Sequence, residues 1–266
     1  MSGAIRQRVT GGVAVVALLI VGVVLLQHRV AGARASEAVG AAAAPSLFPA
    51  ADKFSYVRAK GANLICKQRA ATFISCKLGP ARVLETWQSE RRKGLRIERP
   101  SSIGPKPMVL PPRLLVLGNR RFTHNEMAGY APTGAALLAG LQAGRVPGQG
   151  NGGESYPFAQ MTDALREAMP AKVRQAIIEA LPLVPGVTPL GERRDSLGRR
   201  GIGFARALSD VREEVIVNPA ALVMLEERTV LLKQSAAPGA GRKVGDRIGG
   251  YVYVKRAVVS RAGLRP

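Results

Sequence analysis

The sequence has few of the residues from which metal sites and catalytic centres are usually built. It contains two cysteines and two histidines among 266 residues, and neither cysteine lies near a histidine. No nucleophile elbow and no HExxH motif is present. Glu85, Glu213 and Glu214 lie among arginines in strand-like runs, a pattern more typical of cross-strand ion pairs than of a general-acid pair. We therefore expect no enzyme activity, no catalytic residue, no metal ion and no cofactor, and we expect His124 to lie in a loop or on the surface.

One long apolar run lies near the N-terminus, over residues 9–27. It contains no charged side chain, and at about 1.5 Å per residue it is long enough to cross the hydrocarbon core of a bilayer. Arg6 and Arg8 precede it, which places the N-terminus in the cytoplasm, although Arg29 and Arg34 weaken this charge asymmetry. The predicted organisation is a short cytoplasmic leader (residues 1–8), a transmembrane helix or signal anchor (9–27), a linker (28–51) and an extracytoplasmic domain (52–266).

The apolar run could instead be a cleaved signal peptide. Ala33-Arg34-Ala35 resembles a small-x-small cleavage site, and the run is only slightly long for a signal peptide. The anchor interpretation predicts a single-pass protein of the cell membrane. The cleaved interpretation predicts a secreted protein.

Acidic residues are scarce, with 18 Asp and Glu against 39 Lys and Arg, and the formal net charge is +21. The arginines are scattered through predicted strands and turns without aromatic residues between them, which argues against nucleic acid as a partner. An exported basic domain could be attracted to anionic lipid head groups or wall polymers. The simplest interpretation is a solvated basic surface without a specific partner.

The two cysteines, Cys66 and Cys76, fall in the predicted exported part, where oxidising conditions permit a disulfide. They lie in two short β-like runs that flank residue 71. A hairpin centred there would set the two sulfurs opposite one another, so we predict a disulfide between them. The alternative is two buried free thiols.

Hydropathy patterns divide the chain after residue 52 into strands, then helices, then strands. Alternating or β-branched runs predict strands, as an antiparallel meander, over residues 54–58, 63–68, 72–77, 81–88 and 94–98. Apolar spacing predicts helices over residues 132–143, 155–169 and from 170 to about 181. Strands return over residues 187–193, 201–207, 211–217, 222–233 and 251–260. We predict an α+β fold with a curved, mostly antiparallel, half-barrel-like sheet and about three helices packed on one face.

Two segments between these elements are predicted to be irregular. Residues 100–112 contain proline too often for regular structure and are expected to cross a sheet edge or form a loop. Residues 148–153 match the pattern GxGxxG, but they follow Arg145-Val146-Pro147 rather than a strand. A flexible loop is therefore expected there, not a dinucleotide site.

Several strings resemble one known family. They are FSYVR (54–58), ETW (85–87), LL (137–138), ALPLVPGV (180–187), DSLGR (195–199) and VIVNP (215–219). From Phe54 to the C-terminus, the chain resembles an uncharacterised actinobacterial family of single-pass membrane proteins commonly encoded beside extracytoplasmic-function sigma factors. The resemblance implies an exported domain similar in outline to the half-barrel of periplasmic lipoprotein carriers and of related lipid-binding or envelope-sensing proteins.

Two features depart from that family. Many relatives carry several dozen cytoplasmic residues before the span, whereas residues 1–8 alone precede it here. Direct capture of a cytoplasmic sigma factor is therefore not expected. The turn Asn218-Pro219 also replaces the Asp-Pro sequence that is usual in the family.

Two functions follow as expectations. The first is a membrane-tethered binding or sensing domain with an apolar groove for a lipid-like ligand or a partner's segment. The residues expected to line that groove, unless they simply form the core, are Leu137, Leu141, Leu165, Ile177 and Leu181. The second is an envelope-stress regulatory protein that contacts another membrane protein and binds no small ligand. The bilayer is the expected partner of the N-terminal helix, and the sequence leaves the oligomeric state open.

Overall fold

The computed structural model describes residues 47–69, 72–100, 104–144, 156–233 and 242–266, without the side chains of residues 64–77 and 156. These residues belong to one compact unit, Pro45–Pro266. The predicted span, most of the predicted linker and the GxGxxG segment lie outside the described residues. Among the described helices, none combines the length and the apolar character needed to cross a membrane.

Thirteen strands and four α-helices form within the described residues. The first eight strands are β1 (Phe54–Ala62), β2 (Leu64–Arg69), β3 (Thr72–Leu78), β4 (Arg82–Gln88), β5 (Gly94–Pro100), β6 (Lys106–Leu110), β7 (Leu115–Leu117) and β8 (Arg120–Phe122). The helices are α1 (His124–Gly129), α2 (Gly134–Ala143), α3 (Tyr156–Arg166) and α4 (Ala171–Ala180), with a 3-10 turn at Leu181–Leu183. The last five strands are β9 (Val187–Arg194), β10 (Arg200–Leu208), β11 (Val211–Asn218), β12 (Val223–Leu231) and β13 (Arg247–Val259).

Nine of these strands form one open, curved antiparallel sheet in the order β6-β5-β4-β1-β13-β12-β11-β10-β9. The two ends of the domain meet at its centre, where Phe54 of β1 pairs with Val259 of β13. The predicted α+β class with a mostly antiparallel sheet is confirmed. The sheet does not close into a barrel, because β6 and β9 remain as two edges.

The predicted meander and helix count need correction. Strand β1 pairs with β4 rather than with β2, while β2 and β3 form a separate hairpin. The described chain has four α-helices instead of about three. The sequence pattern does not predict helix α1, because this helix has only six residues and is defined by a capping box between Thr123 and Glu126 rather than by an apolar stripe.

The proline-rich segment 100–112 contains a strand that the sequence did not predict. Strand β6 pairs only with β5 and is one edge of the sheet. Pro107 is compatible with this position because an edge strand has a free hydrogen-bonding side, where a missing N–H costs little. The prediction that this segment lacks regular structure is therefore wrong for Lys106–Leu110.

Side chains alternate along β1 between two apolar clusters, one on each face of the sheet. Ala59 belongs to the larger cluster, which contains the buried residues of the helices together with Val215 of β11. We call this side the inner face. On the opposite side, the outer face, Tyr56 packs in a smaller cluster with Trp87 and Val259.

The structure describes the backbone of the hairpin that carries the two cysteines. The register of the β2–β3 hairpin sets Cys66 directly opposite Cys76. Because the side chains of this hairpin lie outside the described residues, the disulfide stays a prediction. We expect the oxidised chain to resist alkylation at both cysteines and to take up two alkyl groups after reduction, as measured by intact-mass spectrometry. Two alkylatable thiols in the native protein would contradict the bridge.

Candidate functional site

A cavity of about 800 Å³ lies between helix α3 and the inner face of the sheet. Its lining includes apolar side chains such as Val57, Leu84 and Val215 from three different strands. Phe158 and Thr162 contribute from α3. A volume of this size falls within the range of about 300–1,000 Å³ that is usual for small-molecule sites.

Helix α3 brings polar groups to the cavity by its periodicity. Phe158, Thr162 and Arg166 are spaced at i, i+4 and i+8 and therefore lie on one side of the helix. The Thr162 hydroxyl donates to the Ala159 carbonyl at 2.9 Å, so within the cavity this hydroxyl can act only as an acceptor. Phe158 is fully buried, which anchors this side of α3 against the sheet.

The sheet brings carboxylates to the same cavity through its register. Glu213 of β11 pairs with Arg206 of β10 and with Thr229 of β12. Two positions along β11, Val215 pairs with Glu227 of β12. Residues that are opposite one another in antiparallel strands project on the same face. Glu213 and Glu227 therefore lie side by side on the inner face, and both line the cavity.

Arg166 joins the helix to the sheet through ion pairs. Its Nε donates to Glu227 at 2.7 Å, and its Nη1 pairs with Asp163 one helical turn earlier. The Tyr253 hydroxyl donates to the other Glu227 oxygen at 3.0 Å. Burial alone would lower the pKa of Arg166, but the charges of Glu227 and Asp163 outweigh it and raise that pKa. Arg166 is therefore held as a cation whose charge is already matched.

Glu213 differs from its neighbours because it has no such partner. Within the part of the chain that the structure describes, its carboxylate makes no hydrogen bond and no ion pair. Burial raises the pKa of Glu213, and the negative charges of Glu227 and Asp163 raise it further. The charges of Arg206 and Arg166 oppose the rise without reversing it.

The ion pairs predicted from sequence have a mixed outcome. The prediction is confirmed for Glu85, whose carboxylate lies 2.8 Å from Arg99 on the neighbouring strand. It is also confirmed for Glu214, which lies 2.6 Å from Arg228. For Glu213 the residue opposite is Arg206, whose charge opposes the rise of the Glu213 pKa, but no ion pair of Glu213 is found among the described residues. Strand register can place an arginine opposite an acid, but it does not decide whether the two side chains reach one another.

The structure places the five predicted groove residues in the hydrophobic core and not in the cavity lining. They are Leu137, Leu141, Leu165, Ile177 and Leu181. Helices α2 and α4 pack on each other and bury these side chains, whereas the cavity faces another side of α3, at Phe158, Ala159 and Thr162. The sequence signal that could have identified this lining is the polar group Thr162, Asp163 and Arg166 within a helix.

His124 is a structural residue in this arrangement. It begins α1, and its ring stacks on Phe48 with centroids 4.2 Å apart and planes 7° apart. Its backbone N–H donates to the Glu90 carboxylate. No cluster of three His, Cys, Asp or Glu side chains suited to a metal ion occurs among the described residues.

No protein-family model, curated protein or solved structure matches the chain. The resemblance to the actinobacterial membrane-protein family stays a prediction.

Proposed function

We propose that the domain is a binding module whose half-barrel-like sheet and helix α3 hold one small, lipid-like amphiphile. The observation that carries this proposal is the cavity of about 800 Å³ on the inner face. The cavity is a cleft that opens to solvent, which is the usual form of a small-molecule site. A space of this size within a folded domain therefore favours a ligand as its occupant.

The lining supports an amphiphile rather than a purely apolar ligand. Val57, Leu84 and Val215 offer an apolar wall for an alkyl or ring body. Glu213 and Arg166 offer charged groups within the same space. A purely apolar ligand would leave the Glu213 carboxylate desolvated, which is costly, whereas a ligand with a polar head can interact with it.

The predicted membrane span adds a role for such binding. An anchor over residues 9–27 would hold the module within a short distance of the bilayer surface. Lipid-like molecules are concentrated there, so tethering would raise the encounter rate of the cavity with its ligand. In this proposal the domain is a membrane-tethered extracytoplasmic carrier or sensor of amphiphiles.

Filling the cavity tests the proposal. Ala159 lies on α3, lines the cavity and is partly exposed, so an Ala159→Trp side chain would occupy the ligand's space without entering the core. The probe is a diazirine-bearing octyl amphiphile with an uncharged amide head, added to the full-length chain in a branched maltoside detergent. We expect photolabelling of peptides from the cavity wall in the wild type, and a loss of at least about tenfold in Ala159→Trp because of the steric clash.

Gln160→Trp is the matched control, because Gln160 is the next residue of α3 and does not line the cavity. Both variants should unfold thermally within a few degrees of the wild type. Equal cavity labelling of Ala159→Trp and wild type would overturn the assignment of this cavity as the binding site.

One observation favours the alternative of a regulatory protein that works through a protein partner. The edge strand β6 exposes Met108 and Val109, which are 58% and 67% accessible. An exposed apolar edge strand can accept a strand from another chain. If no probe labels the cavity of the wild-type protein, this alternative becomes the better explanation.

A further inference from the structure

We propose that the ligand carries a cationic group, an ammonium or a guanidinium, which Glu213 binds inside the cavity. This inference rests on the proposed binding function and adds the chemical class of the head group. Its basis is a carboxylate that has no ion pair or hydrogen bond within the described part of the chain and that lies in the wall of a cavity large enough for a ligand.

Every buried acid of the described domain is paired with an arginine, and so is the half-buried Glu227. Glu85, Glu214, Glu226, Asp195 and Glu227 each have an arginine within ion-pair distance. The chain has 39 basic side chains for 18 acidic ones, so cations are abundant. A partly buried carboxylate without a partner is therefore not explained by a shortage of arginines. Groups that lower stability in this way are concentrated at functional sites.

The surroundings of Glu213 favour a cation over an anion. Glu227 and Asp163 add negative charge on the same side of the cavity. Arg166 is already engaged by these two acids. Arg206 lies opposite Glu213 in the register, and its charge opposes the rise of the Glu213 pKa more than any other. The cavity lining contains five acidic side chains and four arginines, and each of the four arginines is already ion-paired. An incoming cation would therefore complete the pairing of Glu213.

Aromatic rings line the same space. Phe158, Tyr251 and Tyr253 all belong to the cavity wall. Aromatic faces together with carboxylates are the usual means by which proteins bind quaternary ammonium groups. The cavity thus combines an apolar wall, aromatic rings and one carboxylate that has no ion pair among the described residues, which suits an alkyl ammonium amphiphile.

The net charge of the chain distinguishes binding in the cavity from electrostatic binding at the surface. A chain with a net charge of +21 should attract anionic amphiphiles to its surface in preference to cationic ones. Preference for a cation inside the cavity is therefore opposite to the preference of the protein as a whole. Non-specific electrostatic binding cannot produce it.

The experiment compares three photoreactive octyl probes that differ only in the head group: trimethylammonium, uncharged amide and sulfate. Each is added at equal concentration to the full-length chain in branched maltoside detergent, and cavity peptides are quantified. We expect the trimethylammonium probe to label most strongly. In Glu213→Gln its labelling should fall roughly five- to tenfold, as for the loss of a partly buried charge pair, with the amide probe unchanged.

Glu192→Gln is the matched control, because it makes the same change in net charge on exposed strand β9, away from the cavity. Its labelling should equal that of the wild type for all three probes. Glu213→Gln should unfold at the temperature of the wild type or above it, since it removes a charge that burial disfavours.

A pH series on the wild type and on Glu213→Gln gives a second measurement. Only the ionised form of Glu213 can bind a cation, and its pKa is raised by burial. Labelling by the trimethylammonium probe should therefore increase as the pH rises through this raised pKa, and labelling by the amide probe should not. Arg206 on β10, Glu227 on β12, and Asp163 and Arg166 on α3 also face this carboxylate, so the same series on Glu213→Gln separates its titration from theirs.

The outcomes separate this inference from the proposed function. Preferential labelling by the cation that Glu213→Gln abolishes supports both. Equal labelling by cation and amide, insensitive to Glu213→Gln, overturns the cationic head group and leaves the binding function standing. Absence of cavity labelling by all three probes overturns the binding function and the inference together.

Discussion

Replacing Glu85 with alanine is expected to lower the free energy of unfolding by about 2–4 kcal/mol. The Glu85 side chain is 1% exposed on the outer face of the sheet. Its carboxylate accepts from the Tyr56 hydroxyl at 2.8 Å, and from Arg265 Nε and Nη2 at 2.8 and 3.1 Å. The variant would leave the buried Tyr56 hydroxyl without its acceptor and would remove the anchor of Arg265.

The Glu85→Ala substitution would also destabilise the segment that follows β13. Arg265 lies beside Leu264, whose carbonyl accepts from the Trp87 indole N–H at 2.7 Å. Trp87 is fully buried at the centre of the smaller apolar cluster. Release of Arg265 would therefore weaken the cover of this cluster as well. Urea denaturation followed by the fluorescence of Trp87, the sole tryptophan, measures the effect.

Glu98→Ala provides the comparison. Glu98 lies on the neighbouring strand β5 and pairs with Arg82, but its side chain is 28% exposed. Exposed ion pairs contribute little, so we expect a loss within about 1 kcal/mol. Equal losses in Glu85→Ala and Glu98→Ala would show that Glu85 is not a structural anchor.

The contacts of Glu85 also predict how the stability of the domain depends on pH. Burial alone would raise the pKa of Glu85, but hydrogen bonds from Arg265 and Tyr56 and the charge of Arg99 outweigh it and lower that pKa. A carboxyl with a lowered folded-state pKa contributes stability above its unfolded pKa of about 4.3, and this contribution is lost as the pH falls. The stability of Glu85→Gln should consequently change less with acidification than that of the wild type.

Local patterns predicted most elements of the fold, and long-range pairing explains what they missed. Each of the ten predicted strands overlaps an observed strand, because alternation and β-branched residues act within a few positions of one another. No local pattern reveals that β1 lies between β4 and β13, since the β1–β13 contact joins residues such as Phe54 and Val259. Topology of this kind depends on the closure of long loops, which a window of neighbouring residues does not contain.

The candidate site was harder to predict than the fold. Apolar spacing identified Leu165 and Ile177 correctly as inward-facing helical residues, but the same spacing marks a core and a ligand groove alike. The cavity depends on side chains that do not fill the space between α3 and the sheet, and this follows from packing in three dimensions. Glu213 was recognised as one of several acids among arginines. Only the side-chain geometry separates it from Glu85 and Glu214.

Replacing Gly250 with alanine is expected to lower the free energy of unfolding by about 3 kcal/mol or more. Gly250 has a φ of +119°, a conformation that residues with a side chain rarely adopt. A Cβ there would lie 2.1 Å from the Glu227 carbonyl oxygen and 2.6 Å from the Arg228 Cα. These atoms belong to the backbone of β12, so relief requires separating β12 from β13 at the centre of the sheet.

Gly249→Ala is the matched control, because the two glycines are adjacent in β13. A Cβ at Gly249 would meet its nearest atom, the Ala62 carbonyl oxygen, at 3.7 Å, an ordinary contact. We expect a change in unfolding free energy within about 1 kcal/mol for this variant. Gly250 also lines the cavity, so movement of β12 would displace Glu227 and reduce amphiphile labelling in Gly250→Ala alone. Equal urea midpoints for the two variants would contradict the close β12–β13 approach on which the shape of the cavity depends.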